Sequence, residues 1–293
     1  MFKLKSLFDL EKKSVFLINL GLVLLIVLTF LLDWKLEYFF YFNIFITLII
    51  SYFFFQKSKK LAKTLIVTNM FIFFYFLYPK VAIFLTELFG SESYLFILFY
   101  TIFLSYIFLV FSGENNTFLG DLKSFSFKIV FLIMLLGFSL SLLFIFVQEP
   151  VPSLFIDVVE HGTLGDYFKF IILSTLIIAL AEQLIFSAFL FNSYSKLTSR
   201  MDAFYQTSII FVLFHMLRFD ILVKYYYVNF PDFFLFYISL YYIFLFLFMI
   251  LCIYLYSFNW KGKKGNFIYP VLLHFFTDLG LFLFYAVPIF ILG

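Results

Sequence analysis

The chain has 293 residues, of which 65% are hydrophobic and 13% charged, against roughly 45–50% apolar and 25% charged in an ordinary soluble domain. With 53 Phe and 21 Tyr, it cannot cover itself with a polar surface, so its solvent is lipid. Its 20 basic and 17 acidic residues, net +3, are too balanced for a nucleic-acid surface. No Walker loop or dinucleotide fingerprint is present, so nucleotides are excluded as partners along with nucleic acid.

Apolar stretches of about 17–25 residues are long enough to cross a bilayer as helices. Nine are expected, at residues 14–32, 38–55, 64–84, 94–111, 127–147, 170–194, 203–219, 233–258 and 267–291. Eight is the alternative count, because Pro79 and Lys80 interrupt the third. The short alternating segments of a membrane barrel are absent, so the fold class is all-α, a polytopic helical membrane protein. Phe is a modest helix former in water, but lipid leaves the backbone no partner outside the helix, and environment overrides propensity.

Residues 1–13 carry Lys3, Lys5, Lys12 and Lys13 with no small-residue cleavage site after the first span, which reads as an anchor. Placing the N-terminus in the cytoplasm puts 15 Lys and Arg on that side and five on the other, the bias expected of a correct orientation. Trp34 and Trp260 then fall at the interfaces, and the acidic loop 149–169 falls outside. A bacterial plasma membrane suits this topology. Content divides the chain into an N-terminal accessory bundle of about four spans, 1–124, and a core bundle, 125–293, that carries the site. The single cysteine, Cys252, stands in an apolar run and reads as a small core residue.

Fifteen of the 17 carboxylates lie in loops or near span ends, and the exceptions are Glu182 and Asp278. Of the three histidines, His161 is an outer-loop residue, while His215 and His274 lie inside the seventh and ninth spans. Each ionisable group at membrane depth costs roughly 2.5–3.5 kcal/mol and usually faces a protein interior with a function. All four sit in one layer, roughly 10–18 Å below the cytoplasmic surface at 1.5 Å per helical residue. His274 and Asp278, spaced i,i+4, share a helix face. A carboxylate, an imidazole and a His/Asp pair from three helices make the composition of a water-activating site: a base, a partner sharing its proton, and groups for a developing oxyanion. A set of structural interhelical contacts is the plainer alternative, but such polar bonds average only ~0.6 kcal/mol, little reason to place four at one level.

Other intramembrane chemistries lack their motifs. H-E-x-x-H and G-x-G-D are absent. Gly137-Phe138-Ser139-Leu140 lacks the last glycine of the rhomboid G-x-S-G, so Ser139 is expected to serve helix packing.

At the four site residues the sequence resembles the CPBP family, the CAAX protease and bacteriocin-processing membrane endopeptidases also called Abi proteins. Their pattern is E-E-x-x-x-R, then F-x-x-x-H, then H-x-x-x-N or H-x-x-x-D on successive helices. The second motif is intact here from Phe211 to His215 and the third from His274 to Asp278. In the first, Glu182 is kept, while Gln183 stands where the second Glu is usual and Ser187 where the Arg is usual. The resemblance covers about residues 170–291. It implies that Glu182 with His215 activates water for attack on a peptide carbonyl of a membrane-associated peptide or protein. His274 and Asp278 then stabilise the oxyanion or hold the water. Replacing the Glu and the Arg together removes an ion pair without leaving an unpaired charge, which reads as compensation.

Family members are often described as metalloproteases, and Glu182, His215 and His274 would suit a three-ligand Zn²⁺ site with an open water position. The same side chains also work without metal, and no ligand pair has an established metal spacing. Asp278, if ionised, cannot donate to an oxyanion, so it is expected to be protonated, to orient His274, or to bind a metal. Besides membrane lipid, the expected partner is the peptide substrate. The rival readings are a non-catalytic relative acting in bacteriocin immunity or as a scaffold, and a proton-coupled transporter, for which intramembrane Glu and His are equally natural.

Overall fold

The computed structural model describes residues 126–146, 175–197, 199–215, 219–257 and 266–292, with five isolated helical positions before them. The first four expected spans, the loop with His161, and Trp34 and Trp260 lie outside the described residues. Helices make up the described segments, with no strand among them. They are α1 (Phe127–Phe146), α2 (Thr175–Lys196), α3 (Arg200–His215), α4 (Phe219–Asn229), α5 (Phe234–Ser257) and α6 (Ile268–Leu292). Three of them, α1, α2 and α5, are long and apolar enough to cross a membrane. The protein is an all-α membrane protein.

The seventh expected span is described as α3 up to His215, and Phe219 belongs to α4; residues 216–218 lie outside the described residues. α4 itself occupies what the apolar count leaves as a loop, because Asp220, Lys224 and Asn229 interrupt its hydrophobicity without preventing a helix.

The chain divides into two compact units, Met1–Asn115 with Ala188–Asp220, and Asn116–Ser187 with Ile221–Gly293. In the second unit α1 and α6 pack face to face through small residues. A Cβ on Gly137 would stand 2.6 Å from Phe276 Cβ and 3.2 Å from the Leu273 carbonyl oxygen. Gly280 is pressed in the same way against Ser141. Glycine thus sets how closely the two backbones approach, which is how helices gain packing energy when lipid supplies no hydrophobic drive. Ser139 takes no part: it is exposed, and its hydroxyl donates to the Leu135 carbonyl at 2.8 Å. The packing role expected of it belongs to Gly137 and Ser141, one turn apart on the same face.

Helix α5 closes this unit. Phe144 of α1 meets Tyr241, Phe244 and Phe248 of α5 edge-on, with centroids 6.4, 6.2 and 6.1 Å apart. Met249, Cys252 and Ile253 are fully buried, while Leu235, Phe236, Ile243 and Leu247 are exposed, the face such a helix offers to lipid. The turn from α4 into α5 holds Pro231, and Tyr226 stacks on Tyr237 across it with centroids 5.7 Å apart. α6 starts at Asn266, whose side chain accepts the Ile268 N–H at 2.8 Å, an N-cap that satisfies an otherwise orphaned donor.

In the first unit α3 is capped by Ser199, which accepts the Asp202 N–H at 3.1 Å. It packs on the end of α2, where Phe191 meets Phe204 edge-on at 5.1 Å.

Candidate active site

Helix α2 carries the first motif. In its apolar window 78% of residues are buried, against 22% in α1 and 39% in α5, so α2 is the interior helix and its polar groups face protein. Residues 181–190 are buried without exception. Directly after Glu182 and Gln183 the helix widens into a π segment, Leu184–Leu190. Such turns shift the angular register of the downstream residues and recur at functional sites.

Three of the four expected site residues come together in the second unit. His274 Nε2 lies 3.4 Å from Asp278 Oδ2 and 3.9 Å from Glu182 Oε2. Glu182 and His274 are buried, with side chains 7% and 8% exposed, whereas Asp278 retains 24%. Both separations exceed a good hydrogen bond.

The other face of His274 is held by the residues that depart from the family motif. Gln183 Nε2 lies 3.2 Å from His274 Nδ1, and the Ser187 hydroxyl donates to Gln183 Oε1 at 2.5 Å. Gln183 and Ser187 are fully buried. Cys252 of α5, fully buried, stands near Gln183, Glu182 and Asp278. Phe248 presents its ring edge-on to the His274 imidazole at 5.1 Å. Sequence reasoning passes over Phe248 and places Cys252 only in the core. Each becomes a site neighbour through packing of α5 on α6, for which no spacing in the chain is a signal.

His215 stands in the first unit, at the C-terminal end of α3. Its Nδ1–H donates to the Phe211 carbonyl at 2.9 Å, and its ring lies 4.3 Å from the Phe211 ring and 5.8 Å from that of Phe214. The F-x-x-x-H spacing thereby acquires a physical meaning: the residue one turn back supplies both the acceptor and the ring that orient the imidazole. With the proton on Nδ1, Nε2 carries the lone pair.

Among the described residues no group of three His, Cys, Asp or Glu is arranged to hold a metal ion.

Residues 165–280 match the family model described as Rce1-like, type II CAAX prenyl endopeptidase Rce1-like. The matched stretch contains Glu182, Gln183, Ser187, His215, His274 and Asp278, and it agrees with the CPBP resemblance carried by their motifs. The family described by that model is one of endopeptidases. No curated protein and no solved structure matches the chain.

Proposed function

We propose that the protein is an intramembrane endopeptidase of the CAAX-processing type, hydrolysing a peptide bond of a membrane-associated peptide or protein reached from the cytoplasmic side of a bacterial plasma membrane. The observation that carries this reading is the buried Glu182 carboxylate facing His274 Nε2 across 3.9 Å, and the attacking water is assigned to this pair.

In this reading Glu182 accepts a proton from that water as the oxygen adds to the scissile carbonyl carbon. The carbonyl π pair moves to oxygen, and His274 Nε2–H donates to the resulting oxyanion. The resemblance of the motifs assigns His215 the role of partner for that proton, and an Nε2 that carries the lone pair suits it. The proton then passes to the leaving nitrogen as the C–N bond breaks, giving a carboxyl and an amine terminus. Asp278, an acceptor 3.4 Å from the same Nε2, orients the imidazole before the reaction and yields that N–H to the oxyanion as it forms. Gln183 and Ser187 keep the interior neutral where the family has an ion pair, so the altered first motif is compatible with turnover.

The test is cleavage of a quenched library of membrane-anchored and prenylated peptides by the full chain purified in detergent. Glu182→Ala, His215→Ala and His274→Ala are each expected to lose about 10²–10⁴-fold in kcat while keeping helical content and a monodisperse elution profile. Undiminished turnover in Glu182→Ala would overturn the assignment. A folded parent that cleaves no peptide would favour a non-catalytic role in immunity or scaffolding.

A further inference from the structure

We infer that Gln183, itself oriented by Ser187, is a positioning residue that fixes His274 as the Nε2–H tautomer, opposite to His215.

The three hydrogen-bonding groups form a directed chain. The Ser187 hydroxyl meets Gln183 Oε1, and Gln183 Nε2 meets His274 Nδ1. A primary amide nitrogen only donates, so Nδ1 must present a lone pair and the ring proton resides on Nε2. The reverse chain, Nδ1–H into Oε1 and Nε2–H into the Ser187 oxygen, is equally well formed locally. The rest of the imidazole decides between them. Nε2 faces the Glu182 and Asp278 carboxylates at 3.9 and 3.4 Å. A lone pair aimed at two carboxylate oxygens is repelled, whereas an N–H is attracted. The carboxylates at Nε2 thus select the Nε2–H tautomer, and the Gln183 amide, with Nε2 toward Nδ1, is oriented to match it.

A Glu at position 183 would act in the opposite sense. Its carboxylate is acceptor-only and would draw a proton to Nδ1. The chain's departure from the family motif consequently changes what His274 presents to the cavity: as the Nε2–H tautomer it is a donor and not a base. His215 is the converse, with Nδ1–H engaged by the Phe211 carbonyl and Nε2 an acceptor. The two histidines therefore carry opposite tautomers. This use of the tautomer rests on the proposed peptidase reading, but the tautomer itself is measured without turnover.

With only three histidines in the chain, ring-¹⁵N labelling of the full protein in micelles gives an assignable long-range ¹H–¹⁵N spectrum. His274→Asn and His215→Asn identify the two signals. The expected spectrum has an unprotonated Nδ1 with protonated Nε2 for His274, and the reverse for His215. Gln183→Glu should move the His274 Nδ1 resonance into the protonated class while leaving His215 unchanged. Ser187→Ala, which leaves the amide free to rotate, should shift both His274 nitrogens toward an exchange average. A parent His274 with protonated Nδ1 overturns the inference even if peptide cleavage is found, and so does an unmoved Nδ1 in Gln183→Glu. A protein that cleaves nothing but gives the expected pattern retains the inference and loses only the peptidase reading.

Discussion

Ser187 and Gln183, one turn apart on α2, are joined by a hydrogen bond of 2.5 Å with both side chains fully buried. The family pattern resembled here has a Glu and an Arg at these positions, and the neutral pair makes an i,i+4 contact without burying two charges. A buried ion pair is costly to desolvate, and breaking one by removing a partner costs more than losing the whole pair.

Ser187→Arg alone is therefore expected to lose ~3–5 kcal/mol of stability, because it introduces a buried guanidinium with no carboxylate at position 183. Adding Gln183→Glu should restore most of the loss by recreating the pair. Unfolding in detergent, followed by circular dichroism across the four members of the double-mutant cycle, checks this. A Ser187→Arg protein as stable as the parent would contradict the account of linked replacement.

At Gly137 the neighbouring atoms are the Phe276 Cβ and the Leu273 carbonyl oxygen, backbone-proximal groups that cannot swing aside. Gly137→Ala should force α1 from α6 and destabilise by about 1–3 kcal/mol. Ser139→Ala, two residues away but exposed, should change stability by less than about 0.5 kcal/mol. Thermal unfolding of the two variants in the same detergent separates a packed face from a lipid face. Equal effects would mean that the α1 and α6 contact is not set by the glycine.

Much of this architecture is legible in the chain. The runs that become α1, α5 and α6 are each roughly one bilayer thick and mainly apolar, so length alone locates them within a residue or two. α4 is invisible to the same criterion, because a short helix needs no bilayer-length apolar run. Glu182, His215, His274 and Asp278 stand out since charge at membrane depth is expensive. What the chain does not display is the amide of Gln183 against His274, the thiol of Cys252 beside it, or the Phe248 ring on the imidazole. Those contacts depend on the π segment of α2 and on the packing of α5 against α6. Neither has a periodicity to read.

Phe211 holds His215 through its backbone carbonyl and its ring, which is fully buried. Phe211→Leu retains the carbonyl and most of the apolar volume but removes the ring contact, worth about 0.5–1.5 kcal/mol. The expected result is a fall in kcat of roughly 2–12-fold with KM and helical content unchanged. Kinetics on any peptide the parent hydrolyses provide the measurement. A change in KM alone would place Phe211 in substrate binding instead.

Asp278 lies 3.4 Å from His274 Nε2 and keeps a partly exposed side chain, so it approaches the imidazole from the side opposite the Gln183 amide. Asn at this position preserves an acceptor for Nε2–H and adds an N–H that an oxyanion can use. Ala preserves neither and leaves the ring held on one side only. Asp278→Asn is accordingly expected to stay within about tenfold of the parent in kcat, whereas Asp278→Ala should lose about 100-fold, the scale of a catalytic group displaced by an ångström. Parallel kcat measurements on the two variants decide the role. If Asn is as damaging as Ala, the negative charge itself is required, and orientation of His274 is not what Asp278 contributes.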